Sequence, residues 1–69
     1  MIEVFKTDVA SVAQSDLIVQ ELLYHYPGAS INFDLDDCDR ILRVCGENVS
    51  CHTIIDVVRR SGYHAEILD

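Results

Sequence analysis

Two helix-breaking pairs, Pro27-Gly28 and Ser61-Gly62, interrupt this chain at equivalent points of one recurring pattern. Ahead of the first pair, Val12, Val19, Leu22, Leu23 and Tyr26 recur at helical spacing. Ahead of the second, Ile54, Ile55, Val57 and Val58 do the same. Proline cannot continue a helix and disfavours helical geometry in the residue before it. Glycine takes the left-handed conformation that closes one. Beyond each pair the period changes to two, the mark of a strand.

The remaining elements follow from the same signals. Ile2, Val4 and Lys6 alternate with Glu3, Phe5 and Thr7, which predicts an opening strand. Ser11 or Ser15 can cap the first helix, with Asp16 in its first turn. From Ala29 to Leu35, Ile31, Phe33 and Leu35 share one face, and Ser30, Asn32 and Asp34 the other. Asp36-Asp37-Cys38-Asp39 is a polar turn. In the returning strand, Arg40 to Cys45, Leu42 and Val44 oppose Ile41 and Arg43. Gly46-Glu47-Asn48 connects to a second helix capped by Ser50. Tyr63 to Leu68 forms the last strand, with Ala65 and Ile67 inward. The succession is β-α-β-β-α-β. It predicts an α+β fold, a ferredoxin-like βαββαβ sandwich with a four-stranded antiparallel sheet and two helices on one face. A chain of 69 residues has room for one such domain, spanning 1–69.

Charge and cysteine usage narrow the function. The formal net charge is −7, with only five Lys and Arg residues. Nucleic-acid binders gain affinity by neutralising phosphates with such residues, so neither nucleic acid nor an anionic membrane suits this chain. A basic protein surface suits it better. Cys38, Cys45 and Cys51 are an odd count in a chain whose first residues carry no signal-peptide pattern, which points to a reducing, cytoplasmic setting.

Val19, Leu23 and Tyr26 ahead of Pro27-Gly28, with Ile54, Val58 and Gly62-Tyr63 further on, carry a resemblance. Over essentially its whole length the chain resembles the heavy-metal-associated domain family, the small copper and zinc carriers and the N-terminal modules of metal-pumping ATPases. That resemblance implies the ferredoxin-like fold. The family's metal motif, Met-x-Cys-x-x-Cys, falls on Ala10-Ser11-Val12-Ala13-Gln14-Ser15, so Ala10, Val12 and Ser15 occupy the degenerate motif positions. Soft ions such as Cu(I) need thiolate or thioether sulfur, and Zn(II) thiolate or imidazole. None stands in this segment, so the fold carries over and thiolate metal transfer does not.

Three other features bear on function. Cys45, Cys51 and His52 lie in and after the connector and are weak metal candidates, as is Cys38 beside the acidic turn. Asp34, Asp36, Asp37 and Asp39, with Asp8 from the neighbouring loop, form an acidic end whose Asp36, Asp37 and Asp39 are candidates for docking a basic partner. Alternation also places Phe5, Ile41 and Leu68 on the open face of the sheet, a candidate surface for protein contact or self-association. No nucleophile pairs with a histidine and an acid, and no glycine-rich phosphate loop occurs, so neither an enzyme nor a cofactor is expected. The expectation is a non-catalytic binding or regulatory module on a metal-carrier scaffold without its thiol site. The alternatives are a divergent metal-binding protein and a small-molecule regulatory domain that acts as a dimer.

Overall fold

In the computed structural model, which describes residues 1–68, the chain forms β1 (Ile2–Thr7), α1 (Val12–His25), β2 (Ser30–Asp34), β3 (Ile41–Cys45), α2 (Cys51–Arg60) and β4 (Ala65–Ile67). The sheet order is β2-β3-β1-β4, and every neighbouring pair is antiparallel. β1 and β2, joined through α1, are held apart by β3, while β3 and β4, joined through α2, are held apart by β1. This is the ferredoxin-like α+β sandwich. No helix among the described residues is long and apolar enough to cross a membrane.

Local chemistry sets the helix limits. Ser11 caps α1, its hydroxyl accepting the Gln14 N–H at 3.2 Å, and Ser50 caps α2 by accepting the Thr53 N–H at 3.3 Å. With Ser11 as the cap, Asp16 lies beyond the first turn, which holds no acid. Past α2, Gly62 sits at φ +95°, with Gly62 N–H donating to the Arg59 carbonyl and Tyr63 N–H to the Val58 carbonyl. These two bonds make the Schellman closure that glycine favours. The Tyr26 hydroxyl, at the end of α1, accepts the Ser50 N–H at 3.2 Å and ties the two helices together.

One core lies between the sheet and both helices. Phe5, Leu42 and Val44 from the sheet meet Ile18 and Leu22 of α1 and Ile54, Val57 and Val58 of α2, all fully or almost fully buried. Each such side chain contributes about 1.5–3 kcal/mol by leaving water. Two aspects differ from the sequence expectation. The buried stripe of α1 is Ser15, Ile18 and Leu22; Val19 and Leu23 flank it half-buried, and Val12 is exposed. The helix is thus turned by about one position from the expected register.

The second difference concerns β1. Phe5 pairs across the sheet with Leu42 and with Ile67, so it faces the helices and is fully buried. The open face instead carries Ile2, Val4 and Lys6. Polar residues at both ends of the inner face make this possible. Glu3 accepts a hydrogen bond from the Cys51 thiol at 3.0 Å. Thr7 donates to the Arg40 carbonyl at 2.6 Å and accepts the Val9 N–H at 3.2 Å. With both ends satisfied, the aromatic ring between them is free to fill the core.

Candidate functional site

The β1–α1 loop is the first place to test for chemistry. Val12 opens α1 with its side chain 67% exposed, and Ser15 is buried one turn later. The Ser15 hydroxyl donates to the Val12 carbonyl at 2.8 Å, so its proton is used inside the helix. Ala10 is exposed and apolar. These three positions offer one internally bonded hydroxyl and no sulfur or imidazole.

The acidic turn between β2 and β3 is tightly built. Asp37 Oδ1 accepts the Asp39 N–H at 2.8 Å, and the Asp37 carbonyl accepts the Arg40 N–H at 3.0 Å. Arg40 takes φ +48°, a left-handed conformation that costs a non-glycine residue about 1 kcal/mol. Its guanidinium offsets this by donating to the Leu35 carbonyl at 3.1 Å, while its own carbonyl accepts Thr7. Ligand atoms of Asp37, Cys38 and Asp39 all lie within 4.8 Å of one another, the one such group among the described residues. A cation already serves it, because Lys6 Nζ stands 3.7 Å from Asp39 Oδ1. Asp8, expected to join this cluster, instead accepts the His64 N–H at 2.7 Å and ties the β1–α1 loop to the start of β4.

Cys45, Cys51 and His52 are not brought together. Cys45 is exposed at the end of β3, opposite Ile2 and Ser30 on the open face. Cys51 begins α2 on the other side of the sheet and donates its thiol proton to Glu3. That hydrogen bond, then burial, then the negative charge of Glu3 hold the Cys51 pKa above its usual value of 9.0. The thiolate, which is the metal ligand, is therefore disfavoured there. His52 is exposed on the same helix.

The open sheet face also departs from expectation. Phe5 is absent from it, for the reason given above. Ile41 does lie on it but is only 5% exposed. Arg43, two residues along the same face, pairs at 3.7 Å with Asp34, the residue directly opposite Ile41, so its aliphatic stem lies beside Ile41. Leu68, 39% exposed, lies beside half-buried Val4, and Ile2 is 65% exposed on the same face, which Lys6, Arg43 and Glu66 share. This face thus carries a small aliphatic group, Ile2, Val4 and Leu68, beside charged residues.

A groove that the alternation pattern did not reveal runs between α1 and β2, with a volume of about 460 Å³. It is lined on one side by Val12, Ser15, Asp16 and Val19 and on the other by residues 31–36. The acidic turn lies at one end of it. A strand's outer edge and a helix's flank can be inferred from sequence only once their packing is known, so no residue pattern announced it. In comparisons with known proteins, no family model matches this chain, and no curated protein matches it in sequence.

Proposed function

We propose that this chain is a non-catalytic binding module, a scaffold of the heavy-metal-associated type without the thiol pair, whose acidic end recognises a basic protein surface. The observation that supports it most is the β1–α1 loop. An exposed valine and a buried serine already bonded to that valine's carbonyl stand where a carrier would present two thiolates. The carboxylates of Asp16, Asp36, Asp37 and Asp39 surround the same end of the molecule, in a chain of net charge −7. Such a cluster steers a cationic partner and fixes its orientation more than it adds affinity. Among the described residues, the His64 ring has Glu66 3.8 Å away, and both side chains are exposed.

One observation favours a second reading, a metal held by Asp37, Cys38 and Asp39. Against it, Asp37 Oδ1 already accepts a backbone N–H, and an ion at Asp39 would compete with the Lys6 ammonium, 3.7 Å from its Oδ1. Native mass spectrometry of the fully reduced protein with Cu(I), Zn(II) and Ca²⁺ separates the two. The binding-module reading expects no one-to-one adduct that survives a moderate chelator. A stable adduct overturns it, and loss of that adduct in Cys38→Ser would locate the ion in the turn.

A further inference from the structure

We infer that the groove between α1 and β2 receives an extended, cation-bearing peptide segment of another protein, which adds to the sheet as a fifth strand along the edge of β2. The inference rests on the binding-module reading and specifies its partner.

The lining shows that this is an edge site. Ile31–Asp34 are consecutive in β2, and successive strand residues point to opposite faces, so a concavity touching all four runs along the strand's side and on to Leu35 and Asp36 of the turn. The opposite wall is Val12, Ser15, Asp16 and Val19, at spacings i, i+3, i+4 and i+7, a single stripe of α1. Among the described residues β2 pairs with β3 alone, so its outer edge has no strand partner. Two common guards of an edge, proline and lysine, are absent from Ser30–Asp34. The five residues of β2 span roughly 17 Å, enough to pair with a partner strand of about five residues.

Charge selects the occupant. The ionisable groups of the groove are Asp16, Asp34 and Asp36, all carboxylates. Asp34 is paired with Arg43 across the open face, whereas among the described residues no cation pairs with Asp16 or Asp36. An incoming strand with apolar side chains at alternate positions would rest them on Val12, Val19 and Phe33. Its Lys or Arg residues would meet the free carboxylates. A second copy fits poorly. The edges this chain could offer, β2 and β4, carry Asp34 or Glu66, and like charges paired across strands are destabilising.

The test is heteronuclear NMR of the labelled protein titrated with an acetylated, amidated peptide of about ten residues alternating valine and lysine, and with its valine–glutamate counterpart. The expected result with the lysine peptide is amide shifts along residues 30–36 and 12–19, slowed hydrogen exchange in β2, and reversal at about 0.5 M salt. The glutamate peptide should shift nothing. The exposed double variant D16K/D36K should keep the native spectrum and bind the lysine peptide roughly tenfold more weakly. Shifts confined to residues 37–39 or to the open face would overturn strand addition while leaving a basic-surface binding module standing. An unmoved spectrum, equal response to both peptides, or concentration-dependent β2 shifts without peptide would overturn it as well, the last in favour of a second copy. Failure of the parent reading shows separately, as a metal adduct.

Discussion

Replacing Phe5 with alanine is the sharpest test of how this sheet is assembled. Residue alternation is compatible with either face of β1 turning inward, and the two choices differ in whether Phe5 is buried. Phe5 is fully buried, opposite Leu42 on one neighbouring strand and Ile67 on the other. Truncating such a phenylalanine costs about 3–5 kcal/mol, from lost transfer energy and the cavity left behind. A chain of 69 residues has roughly 3–10 kcal/mol in total. Phe5→Ala should therefore remove a third or more of the stability. Ile2 on the open face is 65% exposed, and Ile2→Ala should cost under about 0.5 kcal/mol. Urea titration followed by far-ultraviolet circular dichroism reads both. With a slope near 1 kcal/mol/M, Phe5→Ala should lower the midpoint by about 3 M or leave the protein unfolded in water. Should it unfold outright, Phe5→Leu gives a graded readout of about 1–2 kcal/mol. A Phe5→Ala midpoint within error of Ile2→Ala would refute the inward placement and, with it, the register of β1 against β3.

Other outcomes follow from single features. Gly62→Ala should cost about 1–2 kcal/mol in thermal melts because φ is +95° there, whereas Gly28→Ala, with nothing within 4 Å of the new methyl, should be neutral or slightly stabilising. At about pH 8, alkylation by iodoacetamide should modify the exposed Cys38 and Cys45 before Cys51, and peptide mapping would show the order. The Cys51 pKa is raised in the folded state, so its hydrogen bond to Glu3 contributes below the ordinary thiol value of 9.0 and is lost as pH rises through the higher folded value. The urea midpoint of the wild type should accordingly fall above pH 9 relative to Cys51→Ser, whose hydroxyl stays protonated; parallel curves would exclude this link. The double substitution V12C/S15C is expected to create a two-thiolate Cu(I) site one helical turn long, detectable as a one-to-one adduct. An unmetallated double variant would mean that this loop differs from a carrier's in conformation as well as in composition.

The order of elements was legible because each boundary has its own chemical marker. Ser11, Pro27-Gly28, Ser50 and Ser61-Gly62 fixed both helices to within a residue or two. The faces of β2 and β3 were legible too, since Ile31, Phe33, Leu42 and Val44 leave no polar residue inside. β1 was not, because each of its faces mixes polar with apolar residues. Ile2 and Val4 share one with Lys6, and Phe5 shares the other with Glu3 and Thr7. Only pairing with Leu42, and partners for Glu3 and Thr7 at the two ends, decides between them. In α1 the run Leu17-Ile18-Val19 and the pair Leu22-Leu23 allow the stripe to rotate, and Ser15 enters the core because its hydroxyl bonds back to Val12. The acidic turn was visible as a cluster of letters. Its disposition was not, since Asp8, Asp37 and Asp39 find their partners in distant segments or in the turn's own backbone.

The two proposals meet at one turn of α1. Val12 and Ser15, the positions read as vacated by thiols, are also two of the four residues by which the helix walls the groove beside β2. A carrier needs that turn open and rich in soft ligands, whereas a strand-docking groove needs it apolar and closed to ions. An exposed valine side chain and an inward-bonded serine suit the second use and spoil the first. Under this reading the two ligands exclude one another. Cu(I) bound to V12C/S15C should weaken the valine–lysine peptide, through the altered wall and the ion's positive charge beside Asp16. The metal-free, reduced double variant should retain most of the wild-type affinity, since cysteine preserves both size and apolarity. Simultaneous, independent binding of ion and peptide to the double variant would place the peptide elsewhere on the molecule and separate the β1–α1 loop from the groove.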